Sequence, residues 1–212
     1  FLAETPWGIT EIESPLMGRF NVDNCLAAIA TAGALDISLE DCSKGIGACS
    51  GIIGRMQLID AGQSFKIIVD YAHTAASLRQ VLESLRSYSA GRLFLVFGGA
   101  GERDKQKRAD MGAVAARHCD YFVVSDEDPR SESQDLIASD ILAGALKSRA
   151  DTPHKVIHNR RDAIRHVLEN AQAGDTVLLS GKGHENSIIG PRGPAPWDEA
   201  GVTIALLKDL GC

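Results

Sequence analysis

Several short stretches of the sequence carry residue types that could bind a phosphate group or an amino acid. In residues 93–108, an apolar run leads directly into Gly98, Gly99 and Gly101 and then into clustered positive charge. Glycines let the backbone turn tightly and present bare N–H groups, and neighbouring cations would stabilise negative charge on a bound group. The stretch predicts an anion-binding loop, and a solvated loop between a strand and a helix is an equally good reading of these residues alone. No glycine stands three residues after Gly101, so the dinucleotide-binding fingerprint is absent.

Two mixed clusters of charge suit the two ends of a zwitterion. In residues 126–130, which read DEDPR, Arg130 offers a planar fork that fits a carboxylate, and Glu127 and Asp128 beside it would attract ammonium groups. Residues 181–185, which read GKGHE, add glycines, a cation, a histidine and a further carboxylate. These residue types propose a pocket for an amino acid.

Asp70 and His73 follow another apolar run, in the sequence VDYAHT. Asp70 could accept hydrogen bonds from a ribose, and His73 could contact phosphate or exchange a proton. A polar cap at the end of a strand is the alternative for each residue, and for His73 taken alone it is the preferred one.

The elements that must position these residues alternate regularly along most of the chain. Apolar runs predict strands at residues 65–70, 93–97, 121–125, 155–157 and 176–180, and amphipathic patterns predict helices at 76–88, 107–119, 133–148, 161–171 and 199–210. Such alternation predicts an α/β fold with a mostly parallel sheet and helices on both faces. The polar clusters follow the strands, whereas the connections that lead from helices back into strands are less rich in polar residues. A site at the carboxyl edge of the sheet is therefore predicted.

The first 50 residues show a different pattern. A short hairpin or edge strand is predicted within residues 1–14, a helix at 20–35 and a second helix at 38–48 with Ser38 as its N-cap. Asn21 and Asn24 lie at the head of the first helix, where asparagines act as helix caps about twice as often as they act as ligands. The run SGIIGR then breaks the helix, and we place a domain boundary between residues 50 and 51.

Composition excludes several classes of protein. The 212 residues are 44% hydrophobic and 24% charged, as in a soluble globular protein, and the net charge of −6 argues against non-specific nucleic-acid binding. No apolar run approaches the roughly 20 residues that a membrane span needs. Five cysteines without a C-x-x-C pair favour reduced, mostly buried thiols in a cytoplasmic protein rather than a zinc site. Since the chain starts at Phe1 without a Met, we expect it to be a fragment.

The motifs GRFNVDN, GRM, VDYAHT, GERDKQKR, DEDPR and GKGHE, in this order, resemble the Mur ligase family. The resemblance is strongest to the branch that adds the third amino acid of the peptidoglycan stem peptide. It covers essentially the whole chain: the end of the central ATPase domain in residues 1–50, then the Rossmann-like C-terminal domain in residues 51–212.

This resemblance implies an ATP-dependent amide ligase. The D-Glu carboxylate of UDP-MurNAc-L-Ala-D-Glu would be phosphorylated with ATP, and the amine of a diamino acid would attack the acyl phosphate. Such a reaction asks mainly for positioning and positive charge. The implied cofactors are ATP and Mg²⁺, with Mg²⁺ bound mainly by the part of the central domain that the sequence lacks. A monomeric, cytoplasmic protein is implied.

The resemblance also assigns roles to residues. Asn21 and Asn24 would approach the adenosine, Arg55 the phosphates and Asp70 the ribose. The incoming amino acid would be held by Arg108, Glu127, Asp128, Pro129, Arg130, Gly181 and Glu185. His73 and Lys105 would lie nearby without an assigned role.

The sequence departs from the family pattern at the specificity motif. The form of the family that takes meso-diaminopimelate carries Asn-Pro-Arg, whereas this chain has Asp128-Pro129-Arg130. An ionised Asp cannot donate a hydrogen bond and would repel the distal carboxylate of diaminopimelate. We therefore expect L-lysine or L-ornithine as the substrate. Further departures are Glu102, where the family usually has Asp, and Ala75 and Ala109, where it usually has proline.

Three other functions compete with this reading. Another amide ligase of the superfamily, of the cyanophycin or folylpolyglutamate type, is disfavoured by the pair GKGHE and DEDPR. A non-catalytic module that senses a nucleotide or an amino acid would not be expected to keep both sets of clusters. A nicotinamide dehydrogenase lacks support because the fingerprint is absent. The sequence also contains no G-x-x-x-x-G-K-[ST] phosphate loop, so this chain by itself is not expected to catalyse.

Overall fold

The chain folds as two units in the computed structural model, which describes residues 1–211. The first unit covers Phe1–Ile52 and the second begins at Ile53. The division therefore falls within the run SGIIGR at residues 50–55.

The first unit packs two helices against a short hairpin. Strands β1 (Leu2–Thr5) and β2 (Gly8–Glu11) pair antiparallel, and helices α1 (Phe20–Ala34) and α2 (Leu39–Gly47) follow. The Ser38 hydroxyl caps α2, as predicted, by accepting a hydrogen bond from the Asp41 N–H at 3.1 Å. The buried core of this unit is formed by Ala3, Ile12, Ile29 and Cys42.

The second unit is built on a six-stranded sheet. Its strands are β3 (Gln57–Ile59), β4 (Lys66–Asp70), β5 (Leu93–Phe97), β6 (Tyr121–Val124), β7 (His154–Val156) and β8 (Thr176–Ser180). They lie in the order β3-β4-β8-β5-β6-β7, and all neighbours are parallel except β3 and β4. Every residue of β5 and β8 is buried, which explains their uninterrupted apolar runs.

Five helices cover the sheet, and the first four of them connect its parallel strands. They are α3 (Ala75–Tyr88), α4 (Gln106–His118), α5 (Gln134–Ser148), α6 (Arg160–Asn170) and α7 (Glu199–Asp209). Side chains of α6 and α7 pack with those of β4, β5 and β8 in one buried cluster, and α3, α4 and α5 pack side by side. The predicted α/β, Rossmann-like fold with a mostly parallel sheet and helices on both faces is confirmed.

Two features of the second unit were not predicted. Strand β3 is three residues long, too short to show a period of its own. Strands β9 (Ser187–Gly190) and β10 (Gly193–Pro196) form a separate antiparallel hairpin. The second of these contains two prolines and a glycine, residue types that argue against a strand in sequence.

Four of the five cysteines lie within the described residues. Cys25, Cys42 and Cys119 are free and buried, Cys49 is free and partly exposed, and Cys212 lies outside the described residues. Burial raises the pKa of the Cys119 thiol, so this thiol is kept protonated. Within residues 1–211, the helices lack the length and apolar character that a bilayer span requires.

Candidate functional site

The loops that follow β4, β5, β6 and β8 meet at the carboxyl edge of the sheet, as predicted. The Gly101 N–H donates to the Asp128 carbonyl oxygen at 2.8 Å, which joins the loops after β5 and β6. The Gly181 N–H donates to the Asp70 carbonyl oxygen at 3.1 Å, which joins the loops after β8 and β4. The four charged clusters singled out in the sequence therefore lie along one edge.

The glycines after β5 allow this close approach between loops. A Cβ atom at Gly101 would overlap the Pro129 carbonyl oxygen, and one at Gly98 would overlap the Ser125 carbonyl oxygen. The Gly101 N–H is already bound to Asp128. These glycines thus serve the packing of two loops, and the anion-binding role of residues 98–101 stays a prediction.

Lys182 lies at the centre of the acidic residues. Its side chain is fully buried, and its ammonium group donates to Asp128 Oδ1 at 2.8 Å and to Glu185 Oε2 at 2.6 Å. The Tyr71 hydroxyl donates to the other oxygen of Glu185 at 3.0 Å. Two acids that were predicted to bind an amino acid are therefore joined by a lysine of the same GKGHE motif.

Asp128 keeps one free oxygen. Its Oδ1 atom accepts a second hydrogen bond from the Ile189 N–H at 2.8 Å, so the β9–β10 hairpin fixes the side chain. In the part of the chain that the structure describes, no hydrogen bond reaches Oδ2. This oxygen can accept a hydrogen bond from a ligand but cannot donate one while the carboxyl is ionised.

Glu127 is a buried acid without a hydrogen bond to its carboxylate among residues 1–211. It is 7% exposed, and its Oε2 atom lies 3.0 Å from the place that a Cβ atom at Gly181 would occupy. Gly181 has a φ of 106°, so a glycine is favoured there on backbone grounds as well. Burial raises the pKa of Glu127, and the charges of Arg160, Lys107 and Lys182 oppose that rise only in part.

Arg130 adopts a backbone conformation that is uncommon for a residue with a side chain. Its φ is 55°, in the left-handed region, and its N–H donates to the Ile189 carbonyl oxygen at 2.8 Å. Its Nε atom is buried and has no hydrogen-bond partner in the described part of the chain. Unlike Arg108, whose Nε is also buried and unpaired, Arg130 is partly exposed, so its guanidinium can meet an anionic ligand. Pro129 precedes it, and the Pro129 carbonyl lies against Gly101.

The structure places Arg108 inside the protein rather than in the pocket. Its guanidinium is fully buried and donates to both carboxylate oxygens of Glu132, at 2.9 and 2.7 Å, to Asp140 at 2.9 Å and to the Ala100 carbonyl at 3.0 Å. These bonds use its two terminal nitrogens. In this arrangement Arg108 ties the loop after β5 to Glu132 and α5, and it presents no exposed donor to an amino acid.

Asp70 and Arg55 lie together near Tyr71. The two Asp70 oxygens each accept a backbone N–H at 2.8 Å, from Met56 and from Ala72, and the residue is 5% exposed. Burial raises its pKa. Asp70 is thus engaged in the fold, and this arrangement does not support direct contact with a ribose. The Arg55 guanidinium, in contrast, lies exposed over the Tyr71 ring at 4.8 Å and is open to an anion.

Two residues without an assigned role have local partners. The His73 ring lies 4.6 Å from the Tyr71 ring, and its Nδ1 atom is 2.9 Å from the Tyr71 carbonyl oxygen. Lys105 is the N-cap residue of α4, and its ammonium group lies 3.1 Å from Glu132.

Comparison with known proteins identifies the family. Residues 54–183 match the family described as Mur ligase, glutamate ligase domain, and these residues carry the loops after β4, β5 and β6 and the start of the loop after β8. The chain belongs to the Mur ligase family.

Individual Mur ligases resemble the chain over its whole length. It is 43% identical over 213 residues to a UDP-N-acetylmuramyl-tripeptide synthetase of Roseiflexus sp. (strain RS-1), a match that covers 100% of this chain and 42% of that protein. It is 40% identical to a UDP-N-acetylmuramoyl-L-alanyl-D-glutamate--2,6-diaminopimelate ligase of Listeria monocytogenes serovar 1/2a (strain ATCC BAA-679 / EGD-e), over 98% of this chain and 42% of that one. The chain thus spans less than half the length of these relatives.

A solved Mur ligase structure shows the same fold. It is described as a UDP-N-acetylmuramoyl-L-alanyl-D-glutamate--2,6-diaminopimelate ligase and superimposes with a TM-score of 0.74 at 33% identity. The match covers 100% of this chain and 43% of that one. The family recognised from the six motifs is therefore confirmed.

Asn21 and Asn24 of this Mur ligase chain are not helix caps. The N-cap of α1 is Arg19, which makes no side-chain bond there, and both asparagines lie within the helix. The Asn21 amide donates to the Met17 carbonyl at 2.7 Å, and the Asn24 amide donates to the Asn21 side-chain oxygen at 2.8 Å. The capping interpretation was wrong because the helix starts one residue earlier than Asn21. Their contact with adenosine stays a prediction.

A buried ion pair supports the carboxyl edge and was not found from the sequence. Arg160 and Glu199 are fully buried and joined at 2.6 Å, and the Arg160 guanidinium also donates to the carbonyl oxygens of Ser180 and Asp126, at 2.8 and 3.2 Å. Burial raises the pKa of the Asp126 carboxyl to about 6, against the charge of His158. Arg160 opens a helix far from these loops in sequence, so no local pattern signals its role. Lys182, in contrast, stands inside a motif that had already been singled out.

The structure offers no placed set of ligands for a metal ion. Among residues 1–211, no group of three or more His, Cys, Asp or Glu side chains is positioned to hold one. For a nucleotide, the exposed Arg55 fits a phosphate, whereas the Asp70 carboxylate is already engaged.

Proposed function

We propose that the chain supplies the amino-acid-binding part of an ATP-dependent amide ligase of peptidoglycan synthesis. The ligase would add a diamino acid to UDP-MurNAc-L-Ala-D-Glu, whose D-Glu carboxylate is first converted to an acyl phosphate with ATP. Membership of the Mur ligase family supports this proposal, as do the names of the relatives from Roseiflexus and Listeria. The reaction of the longer protein is inferred, since the chain covers 42% of each of these relatives.

The observation that carries the proposal is the distribution of charge around Lys182. Glu127, Asp128 and Glu185 carry up to three negative charges, and the buried ammonium of Lys182 neutralises one of them. Among these four side chains, up to two negative charges are left for an incoming ammonium group. Arg130, with its unpaired Nε donor, would hold the carboxylate of the same molecule.

Binding through the far end of the diamino acid would help the reaction in a simple way. A held substrate presents its attacking amine to the acyl phosphate in a fixed orientation, which converts an encounter into an intramolecular step. Arg55 would contact the phosphates. We assign the binding of Mg²⁺ and most of the binding of ATP to other parts of the longer protein.

For the diamino acid itself, we propose L-lysine or L-ornithine in preference to meso-diaminopimelate. Lys182 and the Ile189 N–H both bind Oδ1 of Asp128, so Oδ2 would remain as an acceptor for a ligand. A distal ammonium satisfies this oxygen, whereas a distal carboxylate is repelled by it. The Listeria relative is named for diaminopimelate, which makes that amino acid the competing substrate.

Phosphate release by the full-length protein tests both the proposed ligase activity and the proposed preference for L-lysine or L-ornithine. With ATP and UDP-MurNAc-L-Ala-D-Glu, release should depend on L-lysine or L-ornithine. Release with diaminopimelate alone would keep the ligase and refute the specificity, and no release with any of the three would refute the ligase.

The substitution Asp128→Asn tests the role of the free oxygen. An Asn side chain can both donate and accept, so we expect kcat/KM for diaminopimelate to rise relative to that for lysine by about tenfold or more. Asp110→Asn is the matched control, because Asp110 lies exposed on α4 and its side chain makes no hydrogen bond within residues 1–211. An unchanged preference in Asp128→Asn would contradict the assignment.

A further inference from the structure

Glu102 and Arg130 share a left-handed backbone conformation on two adjacent loops. Glu102 has a φ of 57° and Arg130 a φ of 55°. Residues with a Cβ atom rarely adopt this region unless the contacts around them hold it. The two residues are also joined through the residues next to them.

The Glu102 side chain binds the residue that directly follows Arg130. Its Oε1 atom accepts the Ser131 N–H at 3.2 Å and also accepts the Ser131 hydroxyl. Its own N–H donates to Glu132 Oε2 at 3.0 Å. Hydrogen bonds from the Ser131 side chain and backbone lower the pKa of Glu102, so its carboxylate stays ionised as an acceptor.

The residues before Arg130 are held by the same loop. The Gly101 N–H donates to the Asp128 carbonyl oxygen at 2.8 Å, and there is no room for a Cβ atom between Gly101 and Pro129. Arg130 therefore lies between two residues that are bound by the loop after β5, Asp128 before it and Ser131 after it. Its own N–H is bound to Ile189, so the direction of its side chain follows from the backbone.

We propose that Glu102 is a positioning residue, which fixes the left-handed conformation of Arg130 through Ser131 and so sets the affinity for the carboxylate of the incoming amino acid. This inference rests on the proposed function of Arg130. Glu102 acts from outside the pocket, since its carboxylate is used on Ser131. Its loss should weaken amino-acid binding without changing the chemical step.

The test uses the full-length protein and amino-acid-dependent phosphate release. Glu102→Ala should raise KM for the amino acid roughly 5- to 30-fold, with kcat and KM for ATP nearly unchanged. Glu102→Gln keeps one acceptor oxygen and should raise KM by less, which also provides a variant that preserves the loop. Glu169→Ala, at an exposed position on α6, is the matched control and should change neither constant.

A double-mutant cycle with Arg130→Ala separates positioning from a general loss of structure. If Glu102 acts through Arg130, Glu102→Ala should add little to the KM of a protein that already lacks the Arg130 guanidinium. Additive effects, or an unchanged KM in Glu102→Ala, would overturn the inference while the ligase stands. A wild-type protein without amino-acid-dependent release would overturn the proposed function and this inference with it.

Discussion

At the scale of single residues, the acids of the carboxyl edge differ in how their charge is compensated. Asp128 and Glu185 share the ammonium group of Lys182, and Glu132 is bound on both oxygens by Arg108. Glu127 has no such partner within residues 1–211. A buried carboxylate in this state lowers the stability of the free protein, and it is a common feature of binding sites that are completed by their ligand.

Replacing Glu127 by Gln should stabilise the 212-residue chain. The pKa of Glu127 is raised in the folded state, so the wild type loses stability as the pH rises from the ordinary Glu value through the raised one. The variant lacks this loss, and we expect its free energy of unfolding at pH 7 to exceed that of the wild type by about 1–3 kcal/mol. Denaturant unfolding between pH 4 and 8 should show the difference growing with pH. A difference independent of pH would contradict the explanation.

Arg108→Lys should destabilise the chain even though it keeps the positive charge. One ammonium group cannot replace the paired bonds to Glu132 together with those to Asp140 and Ala100, so we expect a loss of about 1–3 kcal/mol at pH 7. Arg108 holds the pKa of Glu132 far below its usual range, so this stabilisation is present above the ordinary Glu pKa and is lost as the pH falls. The difference in free energy of unfolding between Arg108→Lys and the wild type should therefore become smaller as the pH falls below the ordinary Glu pKa.

The exposed residue Arg79 provides the control for this substitution. Arg79→Lys on α3 exchanges the same two side chains where no hydrogen bond is made, and it should leave the denaturation midpoint within error. Equal effects of the two substitutions would show that the Arg108 network contributes nothing specific.

At the scale of elements, α4 and α5 pack with their backbones in contact. A Cβ atom at Gly112 would overlap the Ile141 carbonyl oxygen, and one at Gly144 would overlap the Ala109 carbonyl oxygen. Each helix therefore carries a glycine in its interior, which its helix propensity alone disfavours. The close packing of α4 on α5 sets where Arg108 and Asp140 meet, and so links the helices to the loops of the site.

Gly144→Ala should destabilise the 212-residue chain although alanine is the better helix former. Overpacking against a backbone atom costs about 1–3 kcal/mol, more than the roughly 1 kcal/mol that helix propensity returns. Gly45→Ala on α2 is the matched control, because a Cβ atom there meets nothing within 4 Å, and it should stabilise by about 0.5–1 kcal/mol. Thermal unfolding distinguishes the two signs, and a stabilising Gly144→Ala would contradict the packing argument.

At the scale of the whole molecule, the chain is expected to hold only part of an active site. It covers 42% of the Roseiflexus relative, and its sequence contains no phosphate-loop motif. We therefore expect no amino-acid-dependent phosphate release from the 212-residue chain with ATP and UDP-MurNAc-L-Ala-D-Glu, under conditions in which the full-length protein is active. Turnover by the short chain would show that it supplies the phosphate-binding groups as well.

The sequence by itself determined the architecture of the second unit and predicted where a site would lie. The apolar runs of β5 and β8 and the amphipathic helices between strands predicted the parallel sheet, because burial on both faces leaves a direct trace in composition. Polar clusters after the strands placed the site at the carboxyl edge. The order of six motifs was sufficient to identify the Mur ligase family.

Only the tertiary structure decided what each charged residue does there. Arg108 and Asp128 are both conspicuous in sequence, yet one is buried against Glu132 and the other is bound by Lys182 through one of its two oxygens. Arg160, on a helix distant in sequence, donates to the Asp126 carbonyl oxygen. The Ile189 N–H binds Asp128 from the β9–β10 hairpin, whose prolines and glycine argued against a strand in sequence. A local sequence pattern reports periodicity and burial, whereas hydrogen-bond partners between distant segments are fixed by the packing of the whole sheet edge. The pairing of charges could therefore be learned only from the fold.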